Sequence, residues 1–355
     1  MRVRDTRSLA LAVVVLIGSL ATALASKQAI GSSEPAATGN QASLTDRINR
    51  AIAKVAELRL SSDQHTPWAI MHAAIAFQSA AKVYDVETRE EIQAIEFLLT
   101  RAQHEDRRIF RVIDDMLVLP RVPVVEYHVN QHLMMLALAD VRPERELIAD
   151  AGKRYRVSDL INAAKLGFEE QQEVGWTLVA LSTYLSFADQ WTAANGRVYK
   201  IEDVLGRGIE RDPRNETEGG AHHLFGVAYA LRAYVREHEV LQGVWREAKE
   251  YIRRHVQTTR RFQQDDGAFS AGLLSEAAAP TSPSELVFST GHTLEWLSVA
   301  LTGAELEQPW VERAVRRLCA EIELHPIDAF SDGGIYHAVS ALRLYRDARY
   351  GADVR

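Results

Sequence analysis

The sequence predicts an all-α protein built as an (α/α)6 toroid of six helical hairpins, and three observations carry that expectation. An apolar run rich in Ala and Leu recurs six times, opening at Trp68, His132, Gly175, Gly220, Gly291 and Gly334, each near a Gly, Pro or His. Between these runs lie charged segments with apolar residues at helical spacing, so a fully buried helix alternates with a half-exposed one. Gly and Pro number only 20 and 10 in 355 residues, too few for a loop-rich or all-β chain. Strand signals are sparse, since the Val122-Pro-Val-Val run is brief and broken by Pro123. An open α-solenoid would also pair helices, but solenoid repeats are shorter and more regular than these.

Taken in order, the chain begins with Arg2, Arg4 and Arg7 ahead of an uncharged stretch over 8–26. Ala23-Leu24-Ala25 supplies the small residues of a cleavage site, completing the order of a secretory signal peptide over 1–26. Its apolar run of about 17 residues is near the lower limit for crossing a bilayer, so an uncleaved membrane anchor is the alternative. Either way the folded part is expected outside the cytoplasm: periplasmic, secreted or tethered to the membrane. Residues 27–43 are small, polar and without period, as in a disordered linker. The toroid domain then occupies 44–355.

Outer helices are expected at 44–60, capped by Ser43 or Thr45, and at 88–101 with a continuation to 117, where Thr88 and Glu91 have capping-box spacing. Further outer helices fall at 157–168, 201–208, 241–262 and 310–324. Pro67 opens the first inner helix, where a missing N–H costs least. Pro120 and Pro123 end the second outer segment before an inner one over 124–141. The single cysteine, Cys319, lies in a stripe with Val315, Leu318 and Ile322 and reads as an inert buried thiol. A formal net charge of −7, with basic residues no denser than doublets, argues against a nucleic-acid partner.

Of twelve histidines, His65, His72, His128, His132, His222, His223, His292 and His337 fall at or near the starts of inner helices, which a toroid gathers around one cavity. Glu126, Glu173, Glu216, Glu218 and Glu295 accompany them, with Asp266 and Asp332 on glycine-containing turns. Histidine exchanges a proton near neutral pH and a carboxylate orients it, which suits acid/base chemistry. The sharpest group is Glu218-Gly219-Gly220-Ala221-His222-His223, followed by His292 with Glu295 and Trp296. His222, His223 and His292 are therefore expected as acid/base groups, with Glu218 and Glu295 as their partners. Trp68 and Trp296 are expected as stacking walls, and His65, His72, His128, His132, Asp266, Asp332 and His337 as ligand-lining residues.

Each of these has a plainer reading. The glycine pair can be only a tight turn, Glu295 only a helix-dipole partner, and Trp68 with His72 only an amphipathic helix start. No metal is expected: His128 and His132 share a helical face, but Val-Asn-Gln between them fails the H-E-x-x-H pattern, and Glu126 would point away from that face. No cofactor is expected either, since Gly206-Arg-Gly208 lacks a preceding strand and a third glycine. A nucleophile turn of the G-x-S-x-G type is absent.

Two short motifs carry a family resemblance. Gln263-Gln-Asp-Asp266-Gly267-Ala-Phe269 resembles the Q-x-x-D-G-x-aromatic turn of terpenoid cyclases and other α/α toroids, and Ser331-Asp332-Gly333-Gly334 echoes it. Gly291-His292-Thr-Leu-Glu295-Trp296-Leu297 is similar to the G-H-x-x-E-W motif of the N-acylglucosamine 2-epimerase family, whose (α/α)6 barrel, like that of six-hairpin glycosidases, acts on sugars. The resemblance implies the toroid and a small-molecule or glycan ligand of carbohydrate type, transformed as by an epimerase, lyase or hydrolase. The cyclase acid motif D-x-D-D is missing at Asp265-Asp266, D-D-x-x-D fails after Asp114-Asp115, and one cysteine excludes a Cys/Cys/His zinc site like that of lanthionine cyclases. Two other readings stand beside it. One is a non-catalytic helical-repeat envelope protein that binds a partner, its histidines scattered through the core. The other is a terpenoid-cyclase-like enzyme on an apolar isoprenoid, with Asp266 as its acid.

Overall fold

The structure, a computed structural model, describes residues 43–351 apart from Asp115. The leader expected over 1–26, and all but the last residue of the linker expected over 27–43, lie outside the described residues. Among the described residues no helix is long and apolar enough to cross a membrane.

Helix α1 (Leu44–Ala56) buries Leu44, Ile48, Ala51 and Val55 along one face, and Ser43 caps it in a reciprocal box with Asp46. Helix α2 (Pro67–Phe77) starts where the Thr66 hydroxyl accepts from the Ala69 N–H, and every residue from Ala69 to Ala76 is buried. The alternation continues through α3 (Ala94–Thr100), α4 (Gln131–Leu138), α5 (Val157–Leu166), α6 (Gly175–Tyr184), α7 (Ile201–Ile209) and α8 (Ala221–Glu237). It ends with α9 (Gly243–Phe262), α10 (Pro283–Ala300), the single turn α11 (Gly303–Leu306), α12 (Pro309–Leu324) and α13 (Asp332–Tyr350). Helices α1, α5, α7, α9 and α12 bury one stripe each, whereas α2, α4, α6, α8, α10 and α13 carry long unbroken buried runs.

The buried helices pack on one another in sequence. Helix α2 lies against α4, α4 against α6, α6 against α8, α8 against α10, α10 against α13, and α13 against α2 again. The remaining helices pack behind them: α3 on α2, α5 and α7 on α6, α9 on α8 and also on α7, α12 on α10, and α1 on α13 and also on α12. A helix apolar all round needs protein on every side, and this arrangement supplies it. The fold is mostly α.

Two crossings depend on glycine. A Cβ on Gly226 of α8 would stand 2.1 Å from the carbonyl oxygen of Gly175 in α6, and one on Gly175 would stand 2.6 Å from that of His222. Where α10 meets α13, a Cβ on Gly291 would lie 2.9 Å from the Ala338 Cα. Gly291 therefore marks a close helix crossing and not a helix start, which corrects the expectation that an inner helix begins there; α10 begins two turns earlier, at Pro283.

Strand content also exceeds the expectation. Leu60–Ser61 pairs in parallel with Lys82–Asp85, which turns back on Glu90–Gln93. Small hairpins join Gln103–His104 to Arg107–Arg108, Arg111–Ile113 to Met116–Val118, Glu146–Ile148 to Arg154–Arg156, and Trp191–Thr192 to Val198–Tyr199. The helix expected over 88–117 is thus only α3. Thr88 caps nothing: its hydroxyl and the Glu87 N–H bind the buried Asp85 carboxylate at 3.1 Å, which also pairs with Arg101 at 2.6 Å. That carboxylate closes a turn where the sequence pattern suggested a helix N-terminus, because side-chain acceptors compete with helix ladders for the same backbone donors. The inner helix expected over 124–141 is likewise shortened to Gln131–Leu138, preceded by a loop.

Candidate functional site

Five histidine rings converge where α2, α8, α10 and α13 meet the loop that enters α4. The His222 ring centroid lies 5.2 Å from that of His292, 5.0 Å from His337 and 4.8 Å from His128. His337 in turn lies 4.2 Å from His292 and 5.3 Å from His72. None of the five is more than 4% exposed.

Local structure fixes most of the rings. His72 is one turn beyond Trp68 in α2, and its Nδ1 donates to the Trp68 carbonyl at 2.7 Å. His292 does the same to the Phe288 carbonyl at 2.8 Å within α10. His337 Nδ1 donates across the α10–α13 crossing to the buried Glu295 carboxylate at 2.8 Å. His128 sits in the loop and points its Nδ1 at Glu173, 3.1 Å away. A carbonyl or ionised carboxylate can only accept, so each of these rings carries a proton on Nδ1, and in its neutral form Nε2 is the lone pair. His72 Nε2 meets the Gln131 amide nitrogen at 3.3 Å. Neither ring nitrogen of His222 has a partner among the described residues.

The loop owes its shape to Asn130, whose left-handed φ of 60° turns the chain into α4. This corrects the expected His128/His132 helical pair: His128 precedes the helix, and only His132 is on it. Glu126 reaches His132 after all, accepting from its backbone N–H at 2.9 Å with the carboxylate 3.6 Å from the ring. In a helix it would have pointed elsewhere; in the loop it caps the first turn.

Electrostatics follow burial. Loss of water, aided by the repulsion that a second protonated ring would meet from His337, holds His72, His222 and His292 well below the usual histidine range. Burial pushes the Glu173 carboxyl up, but the His128 ring and the Thr217 hydroxyl bonded to it bring it below the usual carboxylate range. Glu173 is thus an ionised acceptor that orients His128 and leaves the opposite nitrogen able to take a proton.

An aromatic side chain that reaches solvent lies beside each of three of these histidines. Partly exposed Trp68 lies 3.9 Å from His72, partly exposed Phe288 lies 4.4 Å from His292, and Tyr127, 55% exposed, lies edge-on at 5.0 Å from His128. From the inner side, the Trp176 ring of α6 lies 4.4 Å from His222.

Of the residues expected from sequence, His72, His128, His222, His292, His337, Glu295 and Trp68 come together here. Others do not. His223 faces the opposite way on α8, donating from Nε2 to the Gly208 carbonyl at 3.0 Å, because adjacent helical residues point about 100° apart. Glu218 sits half-exposed in a left-handed turn with φ 49° and bonds to no histidine. Trp296 is 2% exposed in the core and offers no face to a ligand from solvent. Asp266 is exposed and paired with Arg317 at 3.1 Å, Asp332 is exposed in the first turn of α13, and His65 accepts from the Ser61 N–H at 3.1 Å. Gln131, Thr217, Tyr127 and Phe288 join the site without a sequence motif to mark them; Tyr127 alone had a signal, as the neighbour of His128 after two prolines.

A cleft of about 1420 Å³ lies elsewhere, lined by Glu170, Arg197, Arg207, Glu237 and His238 among others. It is an open surface groove of mixed charge and contains none of the convergent histidines. No protein-family model matches the chain, and no curated protein matches it in sequence.

Proposed function

We propose that the six buried helices form the inner ring of an (α/α)6 toroid, and that the chain is an exported enzyme acting by acid/base chemistry on a ring-bearing polar ligand of carbohydrate type. Epimerisation, elimination and hydrolysis are all proton transfers of the kind the site suits. The closed succession of neighbours from α2 round to α13 and back to α2 supports the ring. The observation that carries the chemistry is the His128–Glu173 pair beneath exposed Tyr127. Glu173 fixes the imidazole tautomer, His128 Nε2 serves as the base, and the aromatic rim of Tyr127, Trp68 and Phe288 offers faces to a sugar ring. The carbohydrate class rests on that rim and on the resemblance of 291–297 to the sugar-epimerase motif. Convergence of the histidines favours this reading over a partner-binding repeat protein, in which they would scatter. It also disfavours an isoprenoid cyclase, since Asp266 lies on the surface.

The test is a titration of intrinsic tryptophan fluorescence of the full-length chain with neutral sugars, uronides and isoprenoid alcohols. Any responder is then incubated with the protein and its product followed by NMR. Saturable quenching by a sugar or uronide is expected, lost in Trp68→Ala. In His128→Gln, binding should persist while turnover drops by about 100-fold or more, the usual contribution of a general base. A response confined to isoprenoids, or turnover intact in His128→Gln, would refute the proposal.

A further inference from the structure

We infer that His222, His292 and His337 form a three-histidine site for a divalent transition-metal ion, with Glu295 behind it and the His128–Glu173 pair adjoining it. One nitrogen from each of the three rings lies within 4.8 Å of the others. The inference rests on the reading of this histidine layer as the functional site and adds to it an ion that no sequence motif announced.

The tautomers carry the argument. Nδ1 of His292 is committed to the Phe288 carbonyl and Nδ1 of His337 to Glu295. Their Nε2 atoms are bare lone pairs, and His222 brings two further nitrogens with no partner although the residue is only 3% exposed. Three lone-pair-bearing rings facing one another in a water-poor region repel. A buried ring nitrogen with nothing to bind is destabilising by itself. A hydrogen-bond donor or a cation resolves both, and no side-chain donor among the described residues reaches His222.

Position on the fold agrees with this. The ligands come from three different helices: α8, α10 and α13. The glycine-dependent crossing of α10 and α13 sets His292 and His337 ring to ring at 4.2 Å, and the Gly175 crossing lies against the His222 carbonyl itself. The Glu295–His337 bond is the carboxylate–histidine arrangement that orients a metal-bound imidazole and raises its basicity. Two carboxylates, buried Glu295 and half-buried Glu173, back the cluster through His337 and His128. His72 stands outside the ligand set, because its Nε2 already meets the Gln131 amide.

Donor chemistry sets the ion. Three neutral imidazoles suit Zn, Co, Ni, Cu or Fe and are poor ligands for Mg or Ca. Zinc–nitrogen bonds of about 2.0–2.1 Å would draw the nitrogens to roughly 3.3 Å apart, a ring adjustment of about an ångström. Three protein ligands also leave a coordination position vacant, as catalytic zinc sites do. His128 and Glu173 adjoin His222, their own ligand atoms lying within 4.8 Å of its nitrogen.

The experiment uses the full-length chain, purified through a histidine-free tag, stripped with a chelator and titrated with Co2+ followed by Zn2+. One equivalent of Co2+ should produce visible ligand-field bands, which Zn2+ then abolishes, and metal analysis should give one ion per chain. His222→Ala and His292→Ala should each lower Co2+ affinity by about 100-fold or more, and Glu295→Gln by about 10–100-fold. His223→Gln, on the same helix but facing away, should leave it unchanged. Should an alanine variant fail to fold, the wild-type spectrum and stoichiometry still decide. Folded wild-type protein without bands or stoichiometric ion overturns the inference, as does binding that survives in both alanine variants. A sugar response that persists in the stripped protein while no ion binds would sink the metal site and spare the functional reading. Stoichiometric ion with no ligand response would do the reverse.

Discussion

Replacing Gly226 by alanine tests the helix crossing on which the site depends. Alanine is favoured over glycine in a helix by about 1 kcal/mol, so propensity alone predicts a gain. The new Cβ, however, would lie 2.1 Å from the Gly175 carbonyl oxygen, far inside the 3.0 Å that real Cβ atoms respect. The obstacle is backbone in the first turn of α6, so relief requires α6 and α8 to separate by about an ångström, an overpacking of the kind that costs about 1–3 kcal/mol or more. With other contacts along α6 and α8 loosened too, the net expected loss is roughly 2 kcal/mol. A loss of that size lowers the melting temperature of a chain this long by about 3 °C. Gly206→Ala is the internal control: its Cβ would meet only the Val244 Cγ2 at 3.8 Å, so the propensity gain should survive at about 0.5–1 kcal/mol. Urea unfolding followed by circular dichroism measures both. Opposite signs are expected, and a Gly226→Ala protein as stable as the parent would refute the crossing. Because the neighbouring clash would be with the His222 carbonyl, Gly175→Ala should also weaken Co2+ binding at His222 beyond its effect on stability.

Three further outcomes follow from the same structure. Asp85→Asn should cost about 1–3 kcal/mol in urea unfolding, because the buried carboxylate gathers the Glu87 N–H, the Thr88 hydroxyl and a partly exposed Arg101; a loss under 0.5 kcal/mol would count against that turn. Cys319, whose burial pushes the thiol up to about 12, should not react with a disulfide reagent at pH 8 until the protein is unfolded, and rapid native labelling would contradict its place in the core. His223 is held down to about 4 by burial, against about 6.5 in the unfolded chain, so between those values the unfolded state binds the extra proton. Stability from this residue is therefore complete above pH 6.5 and falls as the pH drops toward 4, by at most about 3 kcal/mol. His223→Gln should flatten that acid limb in urea midpoints, and a parallel decline in parent and variant would rule it out.

The alternation of fully apolar and striped helices could be seen from the residues alone, because burial on all sides and burial on one side leave different periodicities in sequence. The cap at Ser43, one of two candidates with Thr45, the Pro67 start and the buried Cys319 were equally legible, each being a local matter. Short-range competition was not: Asp85 takes the donors that a Thr88 cap would have used, and no pattern of apolar residues reveals it. Neither was direction. His222 and His223 look interchangeable in sequence, yet one enters the histidine layer and the other bonds to Gly208, since a helix turns successive side chains apart. Glu295 likewise shares a helical face with His292 on paper, but its partner is His337 on another helix, 42 positions along the chain. Composition and period determined which helices are buried. Only the packing of α10 on α13 and of α6 on α8 decided which polar groups those helices bury together, because that depends on crossings set by single glycines and on distances between residues far apart in the chain.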